Sequence, residues 1–429
     1  MKNKLNKKIE NIPDGWRRCS LGNLFEFKNG VNAEKGAYGK GIKFINLMDV
    51  FKRNFIVSDD IQGKVSLSKK VIDENLIIKG DIVFNRTSET LAEIGMTSVY
   101  LDSERVVFGG FVIRGRARNK ELLDSYKKYC FFATSVRREI IRRGQGAVRA
   151  NIGQKDLNKV LISFPNIDEQ KRIVVILEMW DEYLEKLERK IEIKKNIKKG
   201  LMQQLLTGKK RLKGFSAEWR EFTLNEIGSV RTSSVDKLTR DGEQSVGLLN
   251  YMDVYRRDVV TSGDMFQQVT AKQSQIVSSN LRRGDVLFTP SSETQIDIGH
   301  SAVVVVDLVA VVFSYHLIRF RPKSKTLYPE YSAYCFKGYS FYKELWKKSQ
   351  GATRYTLSKD AIEKSKITIP ICKDEQKAIA GILINIDNEI EALEKKRNVI
   401  AAQKKYFLNK LITGGIRTPE DLLEKVKNG

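Results

Sequence analysis

The chain is poor in the residues that enzymes most often use for chemistry. Its 429 residues hold two histidines, His300 and His316, four cysteines and seven prolines. A Ser-His-Asp centre would have to use one of those histidines, and neither lies near a nucleophile elbow. His316 sits in an apolar run and reads as a core residue. No H-E-x-x-H, no EF-hand loop and no G-x-x-x-x-G-K-[ST] occurs, and no G-x-G-x-x-G lies between a strand and a helix. The Asn/Asp-Pro-Pro-aromatic pattern that a methyltransferase would need is also missing. Cys19, Cys130, Cys335 and Cys372 form no C-x-x-C pair. They read as buried or half-buried thiols of a reducing cytosol, without a zinc site. No apolar run reaches about 18 residues, so no membrane span is expected. The N-terminus, MKNKLNKKIENIPDGW, is basic but lacks the apolar core of a signal peptide. A cytoplasmic location follows as the expectation.

What the chain has in excess is positive charge. Lys and Arg number 76 against 52 Asp and Glu, a formal net charge of +24. Such an excess repels itself in a compact state and is usually tolerated for a polyanionic partner. Nucleic acid is the first candidate and an anionic membrane surface the second. With 41% hydrophobic residues the chain should fold, and its length allows two to four domains. A nuclease remains conceivable, since carboxylate-lysine clusters are common by chance.

The second excess is repetition. GQGAVRANI at 144–152 is answered by SQGATRYTL at 349–357, with Gln145 and Gln350 separated by 205 residues. GWRRCSL at 15–21 is answered by EWREFTL at 218–224, and FINLMDVFKRN at 44–54 by LLNYMDVYRRD at 248–258. IIKGDIVFNRTSETLAEIG at 77–95 matches LRRGDVLFTPSSETQIDIG at 281–299. YKKYCFFATS at 126–135 matches YSAYCFKGYS at 331–340. FPNIDEQKRI and KKGLMQQLLTGK have their own answers in IPICKDEQKAI and KKYFLNKLITGG. Solenoids repeat at about 20–50 residues, so this is one complete fold used twice.

Each half divides in two. KGDIVF and RGDVLF read as Gly-Asp turns entering strands, so Arg283-Gly284-Asp285 is a turn rather than an adhesion motif. SAVVVVDLVAVVFSYHLIRF at 301–320 reads as paired buried strands with Asp307 near the turn. LLDSYKKYCFFATSVRREIIRR at 122–143 reads as one helix. Trp16, Trp219 and Trp346 read as core or interface rings. After Pro165 and Pro370 come about 40 residues free of proline, with apolar residues every three to four positions. Ile173, Leu177, Trp180, Leu184, Leu187 and Ile191 form one seam; Ile379, Leu383, Ile386, Ile390, Leu393 and Ile400 form the other. Asp-Glu-Gln-Lys opens each segment, where carboxylates suit a helix N-terminus, and Gly208 or Gly414 closes it. Lys194, Lys198, Arg397 and Lys404 interrupt the seams, which predicts imperfect or wet packing there. The fold class is α+β: two globules in tandem, each followed by a long helix, the two helices pairing as an antiparallel coiled coil with pseudo-two-fold character. At about 1.5 Å per residue each helix would span roughly 55 Å.

Two variable globules, each followed by P-x-x-(x)-D-E-Q-K-x-I and ending in L-(L/I)-T-G, resemble the specificity subunit of type I restriction-modification systems. QGAxR and EWRxxxL belong to the same likeness, which covers about residues 12–414. The resemblance implies target recognition domains at 1–165 and 212–370, spacer helices at 166–211 and 371–415, and a tail at 416–429. It implies that each globule reads one half of a split target in double-stranded DNA while the helices set the gap. It further implies docking of two modification (methyltransferase) subunits and, through them, restriction subunits. The chain would then have no catalytic or metal residues and no cofactor of its own. S-adenosylmethionine, ATP and Mg would sit on the partner subunits, and no membrane would be involved. A stand-alone DNA-binding regulator, or the specificity subunit of a related type II enzyme, is the alternative.

On that reading Arg142, Arg143 and Arg149, matched by Lys347, Lys348 and Arg354, would touch phosphates. Gln145 and Gln350 can reach base edges, since a Gln amide pairs bidentately with adenine; equally, Gln-Gly can be turn chemistry repeated because the fold repeats. Gly146 and Gly351 would let the backbone approach the duplex. Base readers are better sought where the halves diverge. Lys35 and Lys40 lie in the loop 28–41, facing Lys237 and Arg240 in 231–244. Asn85 and Arg86 give way to Thr289 and Pro290. The segment 186–214 holds eleven Lys or Arg against two Glu, either a solvated helix face or an electrostatic strip above DNA.

Overall fold

The computed structural model describes residues 12–146, 149–264, 266–323 and 326–428. Ala147 and Val148 of the first repeated phrase lie outside them, as does most of the basic N-terminal stretch. The chain divides into two compact units, residues 1–187 with 396–429, and residues 188–395. Each unit therefore takes one globule and a part of both long helices, Ile167–Leu205 and Lys373–Ile412.

In the first unit a five-stranded sheet runs in the order Phe25–Asn29, Val112–Ala117, Ile82–Asn85, Thr97–Tyr100, Phe55–Ile56. A second sheet, of four strands, is built on Tyr38–Ile45 and Val106–Phe108. The second unit repeats the order with Gly228–Thr232, Ile318–Pro322, Val286–Phe288, Ser301–Val304 and Val259–Val260. Its smaller sheet has three strands, Gln267–Ala271, Gln244–Leu249 and Val311–Phe313. Val83 pairs with Arg114 and Val286 with Phe320, both antiparallel, at the centres of the larger sheets. The Gly-Asp turns enter these central strands as expected: Gly80 and Gly284 have φ of +89° and +96°. The aspartates then do more than turn. Asp81 and Asp285 are buried and pair with Arg116 and Arg321 at 2.7 Å from the neighbouring strand.

Two local expectations are corrected. The stretch 122–143 is two helices, Asp124–Cys130 and Thr134–Arg143. Ala133 is extended, with ψ of 140°, and the unbroken apolar period hid the break because both helices bury the same kind of face. The run 301–320 is not a hairpin. Ser301–Val304 pairs with Val286–Phe288 and Val259–Val260, whereas Val311–Phe313 joins the other sheet beside Gln244–Leu249. Consecutive apolar strands look alike in sequence whether or not they share a sheet.

The core of the first unit gathers Leu21, Phe25, Phe84, Tyr126 and Phe131 with Ile173 and Leu177 of one long helix and Leu408, Leu411 and Ile412 of the other. The second unit does likewise, packing Leu224, Phe288, Phe320 and Phe336 on Leu205, Leu206, Ile379 and Leu383. The helices run antiparallel in both units. In the first, Trp180 stacks on Phe407 at 5.7 Å and Lys396 lies over the Tyr183 ring. In the second, Lys194 pairs with Glu389 and Lys198 with Asp387, both at 2.5 Å. The seam lysines are thus interhelical ion pairs rather than wet defects; Lys404 likewise pairs with Asp181 in the first unit.

A three-residue contact recurs. Tyr129 donates to Asp181 at 2.6 Å and Tyr334 to Asp387 at 2.8 Å, each aspartate also holding the lysine just named. Burial and the adjoining carboxylate hold both phenols well above the ordinary tyrosine range, so they remain donors. The Asp-Glu-Gln-Lys motif has a comparable role. Glu169 is 2% exposed and meets Arg417 bidentately at 2.7 and 2.8 Å; Glu375, fully buried, meets Arg211 at the same two distances. Gln170 accepts from the Leu123 amide and donates to the Glu121 and Pro165 carbonyls; Gln376 does the same with Tyr328, Thr326 and Pro370.

Removing one partner of a buried pair leaves an uncompensated charge, and Arg417 is itself half-exposed. Arg417→Ala should therefore destabilise the first unit by roughly 2–3 kcal/mol. Urea unfolding of the full chain checks it. A midpoint no lower than that of the exposed-site variant Lys69→Ala would show that the pair is idle.

Candidate nucleic-acid interface

The described ends of the repeated phrase are closed by a pair of backbone bonds in each unit. Gln145 and Asn151 exchange backbone hydrogen bonds of 2.8 and 2.7 Å, and Gln350 and Thr356 exchange bonds of 3.0 and 2.8 Å. Gly146 and Gly351 have φ of +116° and +128°. A Cβ on either would collide with the carbonyl oxygen of Arg149 or Arg354. The backbone geometry alone thus requires both glycines, without any approach of DNA. Gln145, Arg149, Gln350 and Arg354 are all exposed.

Other loops join the repeated phrase through backbone bonds. In the first unit Ala150 and Asn151 pair with Ser88 and Thr87, and Ile152 donates to the Arg86 carbonyl at 3.0 Å. Arg86 donates to Phe111 at 2.8 Å, and Val31 bridges to Gly109. In the second unit Thr356 and Tyr355 pair with Ser291 and Ser292, and Leu357 donates to Pro290 at 2.7 Å. Tyr315 donates to the Val235 carbonyl at 3.0 Å. Segments predicted separately, 28–41, 84–90 and 144–152 with their counterparts, therefore converge on one surface of each unit.

Within that surface the candidates differ. Arg354 reaches Ser291 Oγ at 3.2 Å and is otherwise free to meet an anion, and Lys347, Lys35, Lys40 and Lys237 are exposed. Arg142 and Arg143 both pair with Glu139 at 2.5 Å, and Arg143 also donates to the Lys159 carbonyl, so it serves as a strut. Lys348 lies 3.6 Å from Glu344, and Arg240 is held by Asp236 at 2.6 Å. Asn85 and Thr289 cannot read bases as they stand. Both are fully buried at the ends of central strands covered on both faces, so side chains at either parity point inward. Ser88 and Thr90 bond Glu93, which makes the Ser-Glu-Thr stretch a fixed turn.

His316 is the second correction at this site. It is half-exposed at a loop tip, not in the core, with the Tyr315 ring 3.9 Å away. Burial first, then the charges of Lys237 and Arg354, hold it below the ordinary imidazole range. Those two cations therefore face it. Of the eleven cations in the basic segment 186–214, four, Lys194, Lys195, Lys198 and Arg211, are paired with acids of the second long helix. Among the described residues no three His, Cys, Asp or Glu side chains gather as a metal site, and no helix is long and apolar enough to cross a membrane.

Two equivalent loop clusters, rimmed by cations and carried on duplicated α+β frames, define the class: a tandem DNA-recognition protein. The chain belongs to the type I restriction modification DNA specificity domain family, whose model matches residues 13–195 and again 216–402. It is 23% identical over 434 residues to the type I restriction enzyme MjaVIII specificity subunit of Methanocaldococcus jannaschii, covering 95% of this chain and 94% of that one. It is 23% identical over 205 residues to the EcoKI specificity subunit of Escherichia coli K12, across 46% of this chain and 42% of the relative. Among solved structures, a chain from a study of complex assembly and conformational transition of the type I system superposes with a TM-score of 0.64 at 16% identity, covering 95% of this chain and all of that one. An HsdS subunit from Thermoanaerobacter tengcongensis gives 0.51 at 15% identity, covering 95% of this chain and 99% of the other.

Gly351→Ala should open the closure in the second unit and speed hydrogen exchange of the Gln350 and Thr356 amides while leaving Val286–Phe288 protected. Unchanged protection at both amides would refute the steric requirement.

Proposed function

We propose that this chain is the DNA-specificity subunit of a type I restriction-modification complex. Each globule reads one half of a bipartite target in double-stranded DNA. The paired helices set the gap and dock two methyltransferase subunits, which in turn carry restriction subunits. The chain contributes no catalytic residue. S-adenosylmethionine, ATP and magnesium belong to the partner subunits, in the cytoplasm where chromosomal DNA lies. The observation that supports this most is the duplicated loop cluster. One chain presents two equivalent basic surfaces whose five-stranded sheets repeat in strand order and whose exposed loops differ.

Affinity on this reading comes from phosphate contacts by Arg149, Arg354, Lys347 and the loop lysines. Arg354→Ala should weaken binding to all duplexes alike and reduce the slope of log K against log salt by about one. A changed sequence preference with an unchanged slope would reassign Arg354 from phosphate to base.

The function itself is tested by single-molecule sequencing of native genomic DNA with this gene intact and deleted. Adenine methylation at one split motif of fixed gap, lost on deletion, is expected. Methylation that persists unaltered would remove the specificity role.

A further inference from the structure

One loop of each cluster carries exposed aromatic rings that nothing in the frame requires. In the first unit it joins Val106–Phe108 to Val112–Ala117, and in the second Val311–Phe313 to Ile318–Pro322. Phe111 is 60% exposed and Tyr315 51%, although Phe108, Val112, Phe313 and Leu317 beside them are fully buried. With Phe108 matching Phe313, Phe111 falls opposite His316, and Gly110 opposite Tyr315.

The tips are held rather than loose. Gly110 donates to the Val31 carbonyl at 2.9 Å, and a Cβ on it would collide with the Asn32 side chain. Phe111 accepts from the Arg86 amide, and Tyr315 donates to Val235. His316 is fixed by its own amide, which donates to Ser314 Oγ at 3.1 Å. A stray exposed ring needs no explanation. Rings at the same tip of both repeats, inside the cation-rimmed cluster and differing in chemistry, do.

We propose that these tips read base edges of duplex DNA, Phe111 at one half-site and Tyr315 with His316 at the other. The inference rests on the specificity role just given. Phe111 has no polar side-chain atom and would select by apolar contact, as with a thymine methyl. Tyr315 offers a hydroxyl, and a neutral His316 one donor and one acceptor, so that tip would select by hydrogen bonds. Lys237 and Arg354 flank it and would hold the neighbouring phosphates. Different side chains at matching places are what one frame needs to read two different sequences.

The test is selection from a pool of randomised duplex DNA by the purified full chain, followed by sequencing of the bound fraction. Phe111→Ala should lower discrimination about tenfold at one or two positions of one half-site and leave the other intact. Tyr315→Ala and His316→Gln should do the same to the other half. Affinity for a fixed random duplex should stay within about twofold in all three. Tyr315→Phe keeps the ring and loses only the hydroxyl, so a changed preference there does not come from unfolding. If the parent chain enriches a split motif and every variant enriches it equally, the tips are not readers and the specificity role stands. If the parent enriches no motif, both fall together.

Discussion

A carboxylate buried at the start of each long helix is the constraint on which the rest depends. Glu169 and Glu375 are almost wholly out of water, and an unpaired charge there would cost several kcal/mol. Each is neutralised by an arginine that follows the end of the other half's long helix, Arg417 for Glu169 and Arg211 for Glu375. Neither half of the sequence therefore completes its own globule. Tyr129-Asp181-Lys404 and Tyr334-Asp387-Lys198 impose the same requirement one stage further along, each joining a globule to both helices. The glycine that ends each helix meets it as well. A Cβ on Gly208 would press on the Trp219 ring, and one on Gly414 would collide with Pro13 beside Trp16. Helix length, helix register and globule packing are thereby coupled.

Much of this frame was legible because its signals are local and doubled. The long helices follow from period and from the absence of proline, and the pairing follows from one apolar stripe that needs cover. What stayed hidden is non-local. The Glu of Asp-Glu-Gln-Lys reads as a helix-dipole carboxylate because its arginine lies some 160 to 250 positions away, at Arg211 or Arg417. Lys194, Lys198 and Lys404 read as flaws in a seam because their acids stand on the other helix. In each case the residue type was informative and its partner was not visible.

The interface shows the same division at finer scale. Its loops could be found by comparing the halves, since the repeated phrase and the segments that diverge converge in space. Its residues could not. Asn85 and Thr289 stand where the halves diverge, yet both are fully buried at the ends of strands covered on both faces. His316 seemed apolar by company, and a tight turn after Phe313 carries it back to the surface.

Duplication also bears on where sequence information can reside. A feature identical in both units cannot distinguish two different half-sites. The Gln-Gly turn and its arginine are such features, and they are built for geometry: a glycine conformation, a closed pair of backbone bonds, and a cation at the rim. They suit phosphate contact, which positions a protein and carries no code. On the proposed reading, discrimination comes from what the frame leaves free to vary, namely the loops 28–41 and 231–244 and the ring-bearing tips. A scaffold under such tight mutual constraint makes that variation tolerable, because exposed tip residues such as Phe111 and Tyr315 add no burial that folding needs. Binding specificity can therefore change at the tips without disturbing the ion pairs that hold the helices.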